Sequence, residues 1–289
     1  MTAVDAARPD PGWVLWSGTV GLESPIGDRI EAATRAGFSR VSVSPLDVAR
    51  AEQAGTSAAD LGRRFRDAGL ELVMDPVMNW HGGAPPPGSR FGRFSAQDTL
   101  GMAEALRVVS MTLLAQPTSD VPVVELAGPF GDVCDRAAGF GAQVHLEFIP
   151  MTVVPDLAAA WAVVQAADRA NGGIVFDTWH FFRGNPDYVE LDQVPGDRIF
   201  AVQIDDAAQE VRGSMRDDTL NRLLPGDGSF DLLRVVRELD RIGALAWVGP
   251  EVISPVMAAL PPVEAARLAG DRVRDLVARA RQGALSWRT

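Results

Sequence analysis

AQVHLEFIPMTVVPDLAAAWAVVQAADRANGGIVFD, residues Ala142–Asp177, decides the fold. Its first seven residues alternate, with Val144, Leu146 and Phe148 on one parity and Gln143, His145 and Glu147 on the other. Alternation of that kind predicts a strand with two different faces. Val154–Ala167 then carries an amphipathic helical pattern, and GIVFD (Gly173–Asp177) is a second short apolar run. Strand, helix and strand in one short stretch predict a parallel βαβ unit.

The same rhythm runs along the chain. Further strand patterns are WVLWSG (Trp13–Gly18), RVSVS (Arg40–Ser44), LELVMD (Leu70–Asp75), VVSMTLLA (Val108–Ala115), IFAVQID (Ile199–Asp205) and ALAWVG (Ala244–Gly249). Helical patterns separate them at Gly27–Ala36, Ser57–Ala68, Ala96–Leu106, Val121–Gly139, Asp187–Gln193 and Phe230–Ile242, and Pro262–Arg281 closes the series. Eight strand–helix pairs make a single closed (β/α)8 TIM barrel the expected α/β fold, with an open doubly wound sheet as runner-up. The glycine fingerprint of dinucleotide-binding sheets is missing after the first strand, which reads WSGTVGLESP, and this counts against the open sheet. The expected organisation is a flexible tail over 1–11 and one barrel domain over 12–289.

Four polar residues close four successive strand patterns: Glu147, Asp177, Gln203 and Glu251. They are 30, 26 and 48 residues apart. A barrel unit takes roughly 30 residues, so the first two gaps fit one unit each and the third fits a unit with a long loop. Oxygen ligands converging at strand ends suit one hard divalent cation. Parity agrees: each of Glu147, Asp177 and Gln203 falls on the face opposite its strand's apolar residues. A helix N-cap role explains Asp177 alone, but not four units in a row. Two loops on the same face, His81–Gly92 and Asp206–Gly228, are long enough to be functional.

Composition bounds the partners. Net charge is −11 and pI about 4.8, which argues against nucleic acid and leaves a small-molecule substrate. All 27 basic residues are arginine, so lysine Schiff-base chemistry and a phosphate-loop lysine are excluded. The single cysteine, Cys134, forms no internal disulfide, and no apolar run spans a membrane, so a cytoplasmic location is expected.

Four segments, LEFIP (Leu146–Pro150), FDTWHFFRG (Phe176–Gly184), VQIDDA (Val202–Ala207) with LPGDGSFDL (Leu224–Leu232), and PEVIS (Pro250–Ser254), together resemble the xylose isomerase-like barrel superfamily. The likeness is to its sugar phosphate isomerase/epimerase branch. It covers the C-terminal half by motif and the N-terminal half by rhythm only. The resemblance implies one divalent ion, commonly manganese, magnesium or cobalt, held by Glu, Asp, His and Glu on strands five to eight. Glu147, Asp177 and Glu251 match those positions, whereas Gln203 stands where the family has histidine. A neutral amide oxygen favours manganese or magnesium over zinc. Glutamine there is also similar to the 3-dehydroshikimate dehydratase branch. The superfamily's multi-zinc DNA-repair endonucleases are disfavoured by three histidines and strong acidity.

The resemblance implies α-proton abstraction beside a carbonyl, with Glu147 and Glu251 exchanging the proton and His180 near the substrate oxygens. The outcome is isomerisation or epimerisation of a sugar or related hydroxy-carbonyl. Loss of a β-hydroxyl from the same intermediate gives a lyase instead, and a non-catalytic ligand-binding barrel is a third reading. Trp16, Trp80, His81, Trp179, Arg183 and Arg212 are the candidate substrate contacts, while His145 is expected to be a buried, hydrogen-bonded residue beneath the metal. Barrels of this type often form homo-oligomers.

Overall fold

The structure is a computed structural model that describes residues 9–81, 88–117 and 121–285, with the side chains of 283–285 left aside. Eight parallel strands close into one barrel in sequence order. They are β1 (Gly12–Leu15), β2 (Arg40–Val43), β3 (Glu71–Val77), β4 (Ser110–Leu114), β5 (Gln143–Glu147), β6 (Gly172–Asp177), β7 (Ile199–Ile204) and β8 (Trp247–Pro250). The first helices are α1 (Ile26–Arg35), α2 (Pro45–Gln53), α3 (Ala58–Asp67), α4 (Ala96–Leu106), α5 (Ala127–Ala138) and α6 (Leu157–Ala167). The second half adds α7 (Thr178–Arg183), α8 (Tyr188–Gln193), α9 (Met215–Thr219), α10 (Leu232–Ile242), α11 (Pro255–Ala258) and α12 (Pro262–Leu285). The expected single (β/α)8 barrel is therefore the observed one, and every strand expected from sequence is present within a few residues.

Parity decides what faces where. Val14, Trp16, Val73, Val175 and Ala201 form a small buried cluster with Trp247 packed against it, filling the barrel interior. The alternate residues Val144, Leu146, Phe148, Ile174, Phe176, Val202 and Ile204 belong to the large outer core between strands and helices. Glu147, Asp177 and Gln203 share the inner parity, as the alternation required. Gly249 closes the ring between β8 and β1: a Cβ there would lie 1.7 Å from the Val14 carbonyl oxygen.

Helix starts follow local chemistry. Ser44, Ser95 and Ser214 each form a reciprocal capping box with an aspartate three residues on, satisfying backbone donors that a first turn leaves open. The short helices α2, α7, α9 and α11 are absent from the sequence expectation. α7, α9 and α11 are four to six residues long, too short to show a helical period. α2 is nine residues long and follows β2 directly, capped by Ser44. The expected helix over 121–139 begins instead as a 3-10 turn at Val123–Leu126. Residues 1–8 of the expected tail and 82–87 of the first long loop lie outside the described residues. No described helix is long and apolar enough to cross a membrane.

Candidate active site at the barrel mouth

β5 ends on Glu147 and β6 on Asp177, and Asp177 pairs in register with Gln203 of β7. The chain turns into α7 directly after Asp177, whose Oδ1 accepts the His180 backbone N–H at 2.8 Å as the helix N-cap. That one turn swings His180 back over the strand ends. Its Nε2 stands 3.1 Å from Glu147 Oε1 and 4.0 Å from Asp177 Oδ2. Glu147, Asp177 and His180 are all buried, and each offers a ligand atom within 4.8 Å of the others.

Gln203 is fully buried, and neither its amide oxygen nor its amide nitrogen has a hydrogen-bond partner among the described residues. Buried amides are nearly always paired, so this one is set up for a group the protein does not supply. Oxygen donors from Glu147 and Asp177 with the His180 imidazole suit a divalent ion, and the unpartnered Gln203 amide lies beside Asp177 in the barrel. The Glu251 carboxylate falls outside that group and lies 3.6 Å from Arg222 Nη1 instead.

Arg222 enters the same space from the loop after β7. Its Nη1 donates to Asp177 Oδ2 at 2.7 Å, to Asp205 Oδ2 and to the Glu251 carbonyl at 3.2 Å, and lies 3.6 Å from Glu251 Oε2. Nη2 donates to Thr219 Oγ1 at 3.1 Å and lies 3.5 Å from His180 Nε2. Trp179 backs the guanidinium, whose centre is 5.6 Å from the ring.

The mouth is a crowded acidic ring. Burial pushes Asp75, Asp205 and Glu251 well above the usual carboxylate range, and neighbouring carboxylates push the same way while Arg222 opposes them. Burial also works to raise Asp177, but Arg222 and His180 outweigh it and hold this carboxyl below its ordinary value. Burial alone would weaken the charge on Arg222, yet Asp177, Asp205 and Glu251 raise its pKa above the ordinary arginine value. Such shifts in opposite directions within one cluster of buried side chains are typical of reactive sites.

The other candidate residues divide. Trp179 is fully buried, and its indole N–H donates to Asp218 at 2.9 Å. Arg183 donates to the same Asp218 oxygen at 2.9 Å and to the carbonyls of Ala208 and Gln209. Arg212 is exposed, and its backbone N–H reaches Asp218 at 3.1 Å. Trp16 is buried in the barrel interior. Trp80 donates to the Leu114 carbonyl, and His81 Nε2 accepts the Gln116 N–H. Both line a crevice of about 300 Å³ with residues of α4 and α5. His145 is buried on the inner face with both ring nitrogens lacking a described partner, and burial, aided by Arg40, lowers its pKa to about 3. It is a neutral residue of the barrel interior, without the hydrogen bond expected for it among the described residues.

Residues 30–276 match the family described as Xylose isomerase-like TIM barrel. The chain belongs to that family. Like it in sequence are the inosose isomerase of Bacillus subtilis (strain 168), 30% identical over 150 residues, 51% of this chain and 53% of the relative. The 3-dehydroshikimate dehydratase of Pseudomonas aeruginosa is 27% identical over 221 residues, 74% of this chain and 34% of the relative. The chain spans about half the length of the inosose isomerases it matches. Among solved structures, the IolI protein with a bound zinc atom superposes with a TM-score of 0.80 at 21% identity, over 93% of this chain and 99% of that one. An L-ribulose 3-epimerase superposes with 0.72 at 15% identity, over 96% and 98%. At those identities the superpositions speak to the fold.

Sequence reasoning missed Arg222, Asp205, Asp75 and Asp218. Asp205 shares the inner parity of Gln203, which was signal enough to place it near the site, and Arg222 lies in the loop singled out for its length. Nothing in one arginine among 27 marks it as the one that folds inward.

Proposed function

We propose that this member of the xylose isomerase-like family is a divalent-metal-dependent isomerase or epimerase that abstracts a proton α to the carbonyl of a sugar or related hydroxy-carbonyl compound. One observation carries the reading. Glu147, His180, Arg222 and Glu251 form a continuous chain of contacts across the mouth, at 3.1, 3.5 and 3.6 Å. Two carboxylates, one ending β5 and one following β8, joined by two cationic or polar groups, can take a proton from a substrate carbon and return it.

Glu147, Asp177, Gln203 and Glu251, with His180 beside them, would hold the ion. Bound there, it would supply Lewis-acid polarisation of the substrate carbonyl. Glu147 is the base in this reading. His180 Nε2, 3.1 Å from Oε1, is placed to orient that carboxylate. Glu251, whose backbone carbonyl accepts from Arg222 and whose Oε2 lies 3.6 Å from the same nitrogen, is the group assigned to return the proton. Arg222 and Trp179 are both buried beside these carboxylates, and low exposure to water strengthens each of these interactions.

A second reading is a lyase that follows the same abstraction with loss of a β-hydroxyl. The neutral Gln203 and the long dehydratase match favour it over a purely fold-based analogy. Incubation of the manganese-loaded chain with a panel of aldoses, ketoses and cyclic hydroxy-ketones in D2O, read by mass spectrometry, tests both. Deuterium uptake without loss of mass as water supports isomerisation, and dehydration supports the lyase. In either case Glu147→Gln should lower the rate by about 10³-fold or more. No exchange into any substrate, with unchanged behaviour of Glu147→Gln, would discard the catalytic reading.

A further inference from the structure

We infer that the barrel interior beneath the strand-end carboxylates is a hydrated site, in which His145, Thr112 and Ser110 hold ordered water between β4 and β5. It goes beyond the reaction proposed above and involves none of the residues assigned to that reaction.

Inward positions of a (β/α)8 barrel are ordinarily filled by bulky branched side chains. On β4 and β5 three of them are polar instead. Met111 and Leu113 of β4 belong to the outer core, which turns Ser110 and Thr112 inward. His145 stands on β5, which pairs with β4 in parallel, and Thr112 and His145 are direct partners in the register. Ser110 and Thr112 are 0% exposed and His145 1%. Neither hydroxyl and neither ring nitrogen has a hydrogen-bond partner among the described residues. Buried polar atoms are nearly always paired. Four orphans on two adjacent strands mark a shared partner that the protein does not supply.

The chemistry of the three side chains names that partner. Adjacent strands run about 4.8 Å apart, so Thr112 and His145 stand side by side with their polar atoms beyond direct reach. That is the separation at which one water bridges two groups. An imidazole and two hydroxyls together offer donors and acceptors, and a buried water makes roughly two to four hydrogen bonds. An apolar guest would leave all four atoms unpaired. A divalent cation seeks carboxylate or carbonyl oxygens, and the trio has no carboxylate.

Hydrocarbon encloses the site. Val14, Val73 and Val175 pack together in the barrel interior. The Phe200 ring meets the His145 ring edge-on at 5.8 Å, and it lies where a Cβ on Gly173 would stand, 2.6 Å away. Glu147 ends the same strand two residues after His145. Water, rather than packed side chains, thus underlies the inner face of β5 below the mouth.

A high-resolution crystal structure of the wild-type chain reads the site directly. Density is expected for a water bonded to Thr112 Oγ1 and a His145 ring nitrogen, with Ser110 Oγ completing the cluster. In solution, ring-labelled histidine gives few signals, since the chain has three histidines, and His145→Leu assigns the one in question. The carbon-bound ring protons of His145 should show cross-peaks to water whose NOE and ROE differ in sign, as a long-lived bound water gives. Thr112→Val keeps the side-chain shape and removes the hydroxyl, so the bridging water should be lost while circular dichroism is unchanged. Ser110→Ala serves in its place if Thr112→Val does not fold, and should lose the water that Ser110 holds.

A His145 ring with neither density beside it nor a cross-peak to water overturns the inference. So does a ring that turns to bond a protein carbonyl directly. A water that keeps its place and occupancy in Thr112→Val, or in Ser110→Ala where that variant is used, shows that these hydroxyls do not hold it, and the assigned site falls.

Discussion

Asp218 holds together more of the site than any residue proposed as a ligand. It is buried, and its two oxygens accept the Trp179 indole N–H, the Arg183 guanidinium and the Arg212 backbone N–H. These bonds tie the loop after β7 to α7, four residues before that loop delivers Arg222. Arg183 and Trp179, read from sequence as substrate contacts, thus spend their donors inside the protein. Truncating Asp218 leaves a nearly buried guanidinium and an indole N–H without their acceptor. Asp218→Ala should therefore cost about 2–4 kcal/mol, read as a lower urea midpoint with the slope unchanged. A loss under 0.5 kcal/mol would show that the loop is held by other contacts.

At the scale of elements, closure of the barrel and burial between strand and helix make separate predictions. β8 meets β1 through Gly249, where an added Cβ would lie 1.7 Å from the Val14 carbonyl oxygen. Gly249→Ala must part the two strands, and a loss of more than about 3 kcal/mol is expected. A variant as stable as the wild type would mean the ring closes differently. Cys134 of α5 reports on the layer outside β6. Burial, helped by Asp135 and opposed by Arg169, pushes its thiol from an ordinary 9.0 up to about 12. A group raised in the folded state favours folding below its unfolded pKa, and the unfolded chain ionises first above it. The Cys134 contribution should thus be intact below about pH 9 and disappear as pH rises from about 9 to about 12. Urea midpoints of the wild type should fall more steeply than those of Cys134→Ala over that interval. Parallel slopes would contradict the assignment.

Over the whole molecule, α12 is the strap that completes the helical ring. It packs against α1 and α10, burying Ala265, Ala266, Ala269, Val273, Leu276, Val277 and Ala280. That apolar surface is worth on the order of 10 kcal/mol, as large as the net stability of a typical domain. Deleting residues 262–289 should abolish the near-ultraviolet circular dichroism of the tryptophans, and a retained sharp melt would refute this. The sequence by itself determined the barrel, because strand parity and the repeat of strand and helix are local periodicities that each segment carries alone. It also placed Glu147, Asp177, Gln203 and Glu251 at strand ends, since position along a strand and the face it presents are local too. The short helix that brings His180 onto Glu147, the path that carries Arg222 into the acidic ring, and the commitment of Arg183 to Asp218 were decided only by the tertiary structure. These depend on how loops fold back across the mouth, and a loop has no period to read. An arginine on such a loop becomes buried only when carboxylates from three separate strands are already gathered to receive it.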